Sequence, residues 1–221
     1  MSLATEYERV CSVPSDIYQH LPTFVDLVEQ HDARHVIELG TRTGVSTIAW
    51  LYALEGRGRL TSVDLDAAPP IGEHEHWTFI QGDDMDPAII GSLDPAPIVF
   101  IDTSHLYDHT LAELNAYLPL VEPGGVIVCH DTQLRRPEGS PARPLFPVRT
   151  AIMEFVAAHN LTWTEHKNCW GLGIIDVPTA AMAPTPSYPV FTDENVSPEP
   201  SPGGIEADWP AYLDRLEAVD G

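Results

Sequence analysis

Short apolar runs alternate along this chain with longer segments whose apolar residues recur at helical spacing. Runs bounded by Gly, Pro or Asp predict strands at 35–39, 60–64, 77–81, 98–102 and 126–129, and a closing pair at 161–166 and 170–176. The longer segments predict helices at 45–54, 104–121 and 148–159. This alternation predicts an α/β fold with a doubly wound, mostly parallel sheet and helices on both faces.

The two ends of the chain have different patterns. Residues 1–34 form a predicted N-terminal helical segment, in which Ser15 is a candidate N-cap and Pro22 either bends the helix or begins a new one. Residues 35–177 form the predicted sheet domain. Repeated prolines then predict that 178–221 is an extended, acidic, Pro-rich arm with a short terminal helix at Trp209–Leu216; a disordered tail is the alternative.

Composition limits the partners of the protein. The 221 residues include 33 acidic and 11 basic side chains, giving a formal net charge of −22. Such a surface repels phosphate backbones and anionic lipids, so neither nucleic acid nor a membrane is expected as a partner. The three cysteines are far apart and lack paired spacing, and no signal peptide or long apolar run is present. These features predict a cytoplasmic protein.

The turn after the first predicted strand is the main functional signal. Dinucleotide folds place a Gly-x-Gly-x-x-Gly turn there, but Arg42 stands at one of the glycine positions and Glu38 would repel a pyrophosphate. A carboxylate suits the ammonium group of S-adenosylmethionine (SAM), which has no phosphate. The turn therefore favours SAM over a nicotinamide cofactor, with an ordinary strand–turn–helix corner as the alternative. Its candidate cofactor-binding residues are Glu38, Gly40, Thr41, Gly44 and Ser46.

Acidic residues stand at the ends of the other strands, and the carboxyl ends of parallel strands meet at one edge of a sheet. Asp64 follows the glycine turn by about 20 residues, the spacing of a ribose-binding acid. Asp66 is its competitor. Asp83 is placed to accept a hydrogen bond from the adenine amino group, and Asp84 is the alternative.

A candidate metal site lies at the ends of the fourth and fifth strands. Asp102, His130 and Asp131 converge there, and Asp102 also borders the cofactor. Two carboxylates with open positions suit Mg²⁺ or Mn²⁺. The alternative is that Asp102 only positions the substrate while His130 is a capping residue.

Three further histidines or histidine-containing segments could also carry chemistry. His105 is expected to open the long helix and to serve as a general base near neutral pH. His109 lies one turn later with metal-like spacing, but is expected at the surface. The Glu-His-Glu-His run at 73–76 is expected to be a solvated loop.

Several segments resemble one branch of the class I SAM-dependent methyltransferases, the branch of macrocin-type and rhamnosyl O-methyltransferases and of proteins named cephalosporin hydroxylases. The segments that carry the resemblance most clearly are 36–46, 62–66, 82–83, 100–109 and 123–132. It extends to 15–22 and 147–176 but not to the C-terminal arm.

The resemblance implies a Rossmann-like methyltransferase sheet that binds SAM and often Mg²⁺. By position, Glu38 would meet the methionine end of SAM, Asp64 the ribose and Asp83 the adenine, while Asp102 and Asp131 would bind the metal. The branch usually has an acid where this chain has His130. Because imidazole prefers softer metals, Mn, Fe or Zn compete with Mg as the expected ion.

The resulting hypothesis is a metal-assisted O-methyltransferase acting on a small hydroxylated molecule: a sugar, a phenol or a natural-product intermediate. Asp102, His105 and His130 are its candidate catalytic residues. One alternative is a metal-free methyltransferase with His105 as the base. The other is a non-catalytic SAM-fold binding protein. A homo-oligomer assembled through the arm or the N-terminal helices is also expected.

Overall fold

The computed structural model describes residues 2–136 and 144–179, which form one α/β sheet domain with an N-terminal helical segment. The strands are β1 His35–Leu39, β2 Arg59–Asp64, β3 Trp77–Gln81, β4 Ala96–Ile101, β5 Val121–His130, β6 Thr162–His166 and β7 Leu172–Asp176. The helices are α1 Leu3–Ser12, α2 Leu21–Gln30, α3 Val45–Leu54, α4 Pro87–Ile90, α5 Tyr107–Tyr117 and α6 Pro147–His159. Short 3₁₀ turns cover Tyr18–His20 and Leu118–Leu120.

The sheet has seven strands in the order β3-β2-β1-β4-β5-β7-β6. Strands β1 to β5 pair in parallel, whereas β7 runs antiparallel to both β5 and β6. The predicted doubly wound, mostly parallel fold is confirmed. Because the chain order reverses between β1 and β4, a crevice opens outside the carboxyl ends of these two strands.

Two apolar layers cover the faces of the sheet. On one face, Phe24 of α2 stacks on Trp50 of α3 with ring centroids 4.1 Å apart, and both contact Phe100 of β4. On the other face, α5 and α6 bury residues such as Leu114 and Phe155. Helices on both faces leave the strand ends as the open edge of the domain.

Three local predictions need correction. The long helix begins at Tyr107 rather than 104, because His105 has a left-handed backbone with φ of 55°. Strand β5 begins at Val121 rather than at residue 126, so the residue at which the long helix was predicted to end already belongs to β5. Ser15 caps no helix: α2 begins at Leu21, with Pro22 in its first turn, where proline is tolerated.

The C-terminal prediction lies almost entirely outside the described residues. Only Pro178 and Thr179 of the predicted arm are described, and the terminal helix at 209–216 is not. None of the described helices has the length and apolar character needed to cross a membrane.

Candidate active site

The glycine turn after β1 packs directly against the end of β4. Gly40 has φ of 84°, and a side-chain Cβ at this position would lie 2.0 Å from the carbonyl oxygen of Asp102. Its amide donates to the carbonyl of Val63 at 2.9 Å. Gly44 also has a left-handed backbone, at the N-cap of α3. Glycine at position 40 therefore brings the predicted cofactor turn and the acid after β4 together.

Glu38 lies beneath this turn and is fully buried. Its carboxylate accepts hydrogen bonds from the hydroxyls of Ser46 at 2.7 Å, Thr47 at 2.9 Å and Ser62 at 2.6 Å. Burial raises the pKa of Glu38 to about 7, although the three hydroxyls oppose the shift. The Glu38 side chain thus links β1 to α3 and β2 by hydrogen bonds. Its contact with the amino group of SAM stays a prediction.

Asp64 holds the same turn from the end of β2. Its Oδ2 accepts hydrogen bonds from the amide and hydroxyl of Thr41, at 2.6 and 2.8 Å, and from the amide of Arg42 at 3.1 Å. Its Oδ1 accepts from the amide of Asp66 at 2.9 Å. Asp64 is therefore placed beside the turn as predicted, while Asp66 is exposed.

The two acids after β3 face different ways. Asp83 is exposed, and its Oδ1 accepts a hydrogen bond from the amide of Met85 at 2.8 Å. Asp84 is buried, with its carboxylate oxygen Oδ1 3.2 Å from Nε2 of His109. Of the two candidates for the adenine contact, Asp83 is the one that solvent can reach.

The ends of β4 and β5 bring four titratable side chains together. His105 Nε2 lies 3.1 Å from Asp102 Oδ1 and 3.0 Å from Asp131 Oδ2. His130 Nδ1 lies 3.4 Å from Asp102 Oδ1 and 3.5 Å from Asp131 Oδ1. All four predicted catalytic or metal-binding side chains thus converge, and we call them the strand-end cluster.

The ring of His130 is oriented by backbone groups on two other segments. Its Nε2 lies 3.2 Å from the carbonyl oxygens of both Asp16 and Cys169. Carbonyls only accept hydrogen bonds, so Nε2 carries a proton and Nδ1 faces the two carboxylates. Metal-bound histidines commonly anchor their second ring nitrogen in this way.

The backbone at the strand-end cluster is strained. His105 and Asp131 have φ values of 55° and 63°, in the left-handed region that non-glycine residues rarely adopt. Cys169 and Trp170, on the turn facing His130, also have positive φ. Such strain persists only where surrounding structure enforces it, and it is concentrated at functional sites. Here it turns both side chains toward one point.

The two carboxylates and two imidazoles shift each other's titration. Burial alone lowers the pKa of His105, but the facing Asp131 and Asp102 carboxylates outweigh it and raise the value to about 10. The pKa of His130 is raised for the same reason. Burial opposes ionisation of Asp102 and Asp131, yet the two imidazoles hold their pKa values below the usual range.

The donor set fits a divalent cation. The ligand atoms of Asp102, His105 and Asp131 all lie within 4.8 Å of one another. Ligands about 2.1 Å from one ion lie about 3.0–3.5 Å apart, which matches the separations in the cluster. With its second nitrogen anchored, His130 can present Nδ1 to the same ion. The residues present thus suit a cation that tolerates mixed oxygen and nitrogen ligands.

Sequence reasoning missed two features of the site. The segment before α2 lies against it, since Asp16 contributes a carbonyl to His130 and a carboxylate that pairs with Arg42 of the glycine turn. His109 is not a free surface residue, because its ring faces the buried acids Asp84 and Glu113. Neither feature leaves a signal in the sequence. The Asp16 contacts join segments far apart in the chain, and the surroundings of His109 depend on how α5 packs.

The acid–histidine run at 73–76 behaves as predicted. Glu73, Glu75 and His76 are exposed, and His74 is half-buried. Within the described residues, none of them belongs to a group whose ligand atoms lie close enough to share a metal.

Comparison with known proteins gives a family match and many structural matches. Residues 37–132 match a protein family described as a methyltransferase domain. No curated protein sequence matches the chain. The O-methyltransferase of Bacillus cereus in complex with S-adenosylhomocysteine (SAH) is 19% identical with a TM-score of 0.57, over 78% of this chain and 90% of that one.

Two further structures come from biosynthetic pathways. The O-methyltransferase TomG of Streptomyces achromogenes, involved in tomaymycin synthesis and solved with SAM, is 19% identical with a TM-score of 0.60, over 80% of this chain and 89% of that one. MycE of the mycinamycin pathway, solved with Mg, SAH and mycinamycin VI, is 20% identical with a TM-score of 0.61, over 81% of this chain and 55% of that one. Residues 37–132 are thus similar to a methyltransferase domain, and the described domain shares its fold with these solved O-methyltransferases.

Proposed function

We propose that this protein is a SAM-dependent methyltransferase that transfers the methyl group of SAM to a hydroxyl of a small molecule, assisted by a divalent cation. The observation that carries the proposal is the strand-end cluster, which gathers two carboxylates and two imidazoles beside the glycine turn. It is supported by structural neighbours described as O-methyltransferases in complex with SAM or SAH, and by one solved with Mg.

The cofactor would lie in the crevice between the ends of β1 and β4. Gly40, Thr41, Gly44 and Ser46 line or support the turn there. Asp64 would add the ribose hydroxyls to its contacts, and Asp83 would accept from the adenine amino group. In this arrangement the reactive methyl would face Asp102, whose backbone carbonyl lies against Gly40 of the turn.

His105 is the proposed general base. The acceptor oxygen attacks the methyl carbon, the carbon–sulfur bond breaks to leave SAH, and the hydroxyl proton goes to Nε2 of His105. Asp102 and Asp131, 3.1 and 3.0 Å from that nitrogen, stabilise the imidazolium. For His105 to accept a proton it must first be neutral, so the negative charge that raises its pKa has to be offset in the working site.

Asp102, Asp131 and His130 would hold the cation. When bound there, a divalent cation lowers the pKa of the acceptor hydroxyl and fixes its direction. Mg²⁺ suits the two carboxylates, while His130 extends the candidates to Mn²⁺, Fe²⁺ and Zn²⁺. His130 keeps its orientation through the Asp16 and Cys169 carbonyls.

A metal-free mechanism is the second candidate. His105 lies between the two carboxylates at ion-pair distance, so the strand-end cluster is compact without a cation. In that mechanism the carboxylates only position His105, which accepts the proton in its neutral form; because its pKa is raised to about 10, turnover would increase as the pH rises toward that value. Chelation separates the two mechanisms.

The finer assignment follows from the same residues. The segment from Asp102 to His109 and Asp131 support placement in the macrocin-type branch, from which His130 departs, and with it a sugar, phenol or natural-product acceptor. The net charge of −22 supports the expectation of neither nucleic-acid nor membrane partners. A cytoplasmic location and self-association remain predictions.

The test is methyl transfer from labelled SAM to a panel of sugars, phenols and other hydroxylated small molecules. Calorimetry should show binding of SAM and SAH but not of NAD. Chelation should abolish turnover while leaving SAH affinity within about twofold, and add-back of Mg²⁺, Mn²⁺, Fe²⁺ or Zn²⁺ should restore it. Asp131→Asn should lose turnover like the chelated enzyme, whereas Asp94→Asn, an exposed surface acid, should not.

Two outcomes would contradict parts of the proposal. Full-rate methylation by the chelated enzyme, with loss of activity in His105→Ala, would replace the metal-assisted mechanism with the histidine-base mechanism. Tight NAD binding without any response to SAM would overturn the cofactor assignment itself.

A further inference from the structure

A second group of titratable residues lies outside the strand-end cluster. Helix α5 presents His109 and Glu113 one turn apart, and the loop after β3 brings Asp84 to the same point. His109 Nε2 is 3.2 Å from Asp84 Oδ1 and 3.5 Å from Glu113 Oε1. One ligand atom from each residue lies within 4.8 Å of the others. We call these three residues the α5 cluster.

The α5 cluster has a buried oxygen with unmet hydrogen-bonding capacity. The Glu113 side chain is 0% exposed, and its Oε2 has no hydrogen-bond partner among the described residues. A buried carboxylate oxygen without a partner is costly, so Glu113 Oε2 points to a missing positive group.

The charge of the α5 cluster is also unbalanced. Two carboxylates face a single imidazole, so even a protonated His109 leaves one negative charge uncompensated when both acids are ionised. A dication would balance both carboxylates and leave His109 neutral, as a ligand nitrogen must be.

The separations match a coordination sphere. Zinc-like ions bind histidine nitrogen and carboxylate oxygen at about 2.0–2.2 Å, which places tetrahedral ligands about 3.3–3.5 Å apart. The two measured separations, 3.2 and 3.5 Å, are of this size. The Thr103 hydroxyl donates to Glu113 Oε1 at 2.7 Å, as the outer partners of metal-bound carboxylates do.

We propose that Asp84, His109 and Glu113 bind a divalent transition-metal ion of the Zn²⁺ type, at a site separate from the strand-end cluster. The His109 side chain is 29% exposed, which gives the ion a path from solvent. The ion ties the loop after β3 to α5, so its role is structural. The site does not depend on the proposed methyl acceptor or on a catalytic cation.

The experiment uses the full-length chain carrying Asp102→Asn and Asp131→Asn, stripped of metal, so that the strand-end cluster no longer competes. Calorimetry and visible absorption follow a Co²⁺ titration, and Zn²⁺ is then added as a competitor. We expect one Co²⁺ per chain, a ligand-field absorption band, its displacement by Zn²⁺, and a rise in melting temperature with Zn²⁺.

Two variants of the α5 cluster are then made in the same background. His109→Gln should abolish the Co²⁺ band and the Zn²⁺-dependent rise in melting temperature. Glu113→Gln, which keeps the shape of the side chain, should weaken Co²⁺ binding at least tenfold. His159→Gln is the matched control, since His159 lies on α6 and bonds Asn115. It should leave both signals unchanged.

Failure of this proposal is distinguishable from failure of the catalytic one. No Co²⁺ binding in the Asp102→Asn, Asp131→Asn background would overturn the α5 site even if the wild-type chain binds one ion. Binding that survives both His109→Gln and Glu113→Gln would overturn it as well. Circular dichroism of each metal-free variant shows whether unfolding is the cause of lost binding. If His109→Gln is unfolded, the Co²⁺ affinity of Glu113→Gln decides whether the α5 cluster binds the metal.

Discussion

At the scale of single residues, this protein places charged groups where burial makes their ionisation costly. Glu38 is the clearest case, because three hydroxyls satisfy a carboxylate that has no access to solvent. The pKa of Glu38 is raised to about 7, above its ordinary value of 4.5. Its folded form therefore keeps a proton that the unfolded form has already lost across this pH window.

The consequence is a testable dependence of stability on pH. Between pH 4.5 and 7 the unfolded state ionises Glu38 while the folded state does not, so this residue lowers the free energy of unfolding as pH rises. The full loss is about 3 kcal/mol. Glu38→Gln cannot ionise, so urea unfolding at pH 4 and pH 8 should show a fall in wild type that is smaller in the variant. Equal falls in both proteins would rule out Glu38 as the source.

At the scale of elements, the glycine turn between β1 and α3 joins the proposed cofactor crevice to the strand-end cluster. Gly40 permits this because any side chain would collide with the Asp102 carbonyl. Gly72 has the same φ of 84°, yet a Cβ there would meet nothing within 4 Å. The two glycines thus separate the cost of the backbone conformation from the cost of the collision.

Alanine at each position measures the two costs. Gly72→Ala should lower the free energy of unfolding by about 1–2 kcal/mol, the cost of a left-handed non-glycine residue. Gly40→Ala should lower it further, since the turn must also move away from Asp102, and it should weaken SAH binding as well. Urea unfolding and calorimetry measure both effects. If Gly40→Ala behaves like Gly72→Ala in both measurements, the turn does not need its close approach to β4.

At the scale of the whole molecule, the described domain ends where the proline-rich C-terminal region begins. Val177 still pairs with the start of β5, through backbone hydrogen bonds to Gly124 and Gly125. The sequence prediction that residues 178–221 pack on the domain or on a second subunit concerns residues beyond this point. It can be tested without knowing their conformation.

Deletion of the residues after Thr179 provides that test. If the region packs as predicted, the shortened chain should melt at a lower temperature or change its mass in solution, because buried surface is lost. Light scattering gives the mass, and thermal unfolding monitored by circular dichroism gives the melting temperature. A shortened chain with the same mass, stability and activity would show that the region is only a tail.

The sequence by itself determined the fold class and the residues at the strand ends. Alternating strand and helix periodicity admits few arrangements, because parallel strands need right-handed crossovers. Parallel strands also end at one edge, so Asp102, His130 and Asp131 had to converge. Glu38 was likewise predicted from its position just before the glycine turn, and Asp64 from its spacing after that turn; both signals are local features of the sequence.

Only the tertiary structure decided how these groups face one another. The left-handed backbone conformation of His105 places its ring between the Asp102 and Asp131 carboxylates. The loop after β3 directs Asp84, unlike Asp83, toward His109. The tertiary structure also brought the Asp16 and Cys169 carbonyls to His130. These contacts depend on side-chain direction and on segments up to 114 residues apart, and neither leaves a periodic trace in the sequence.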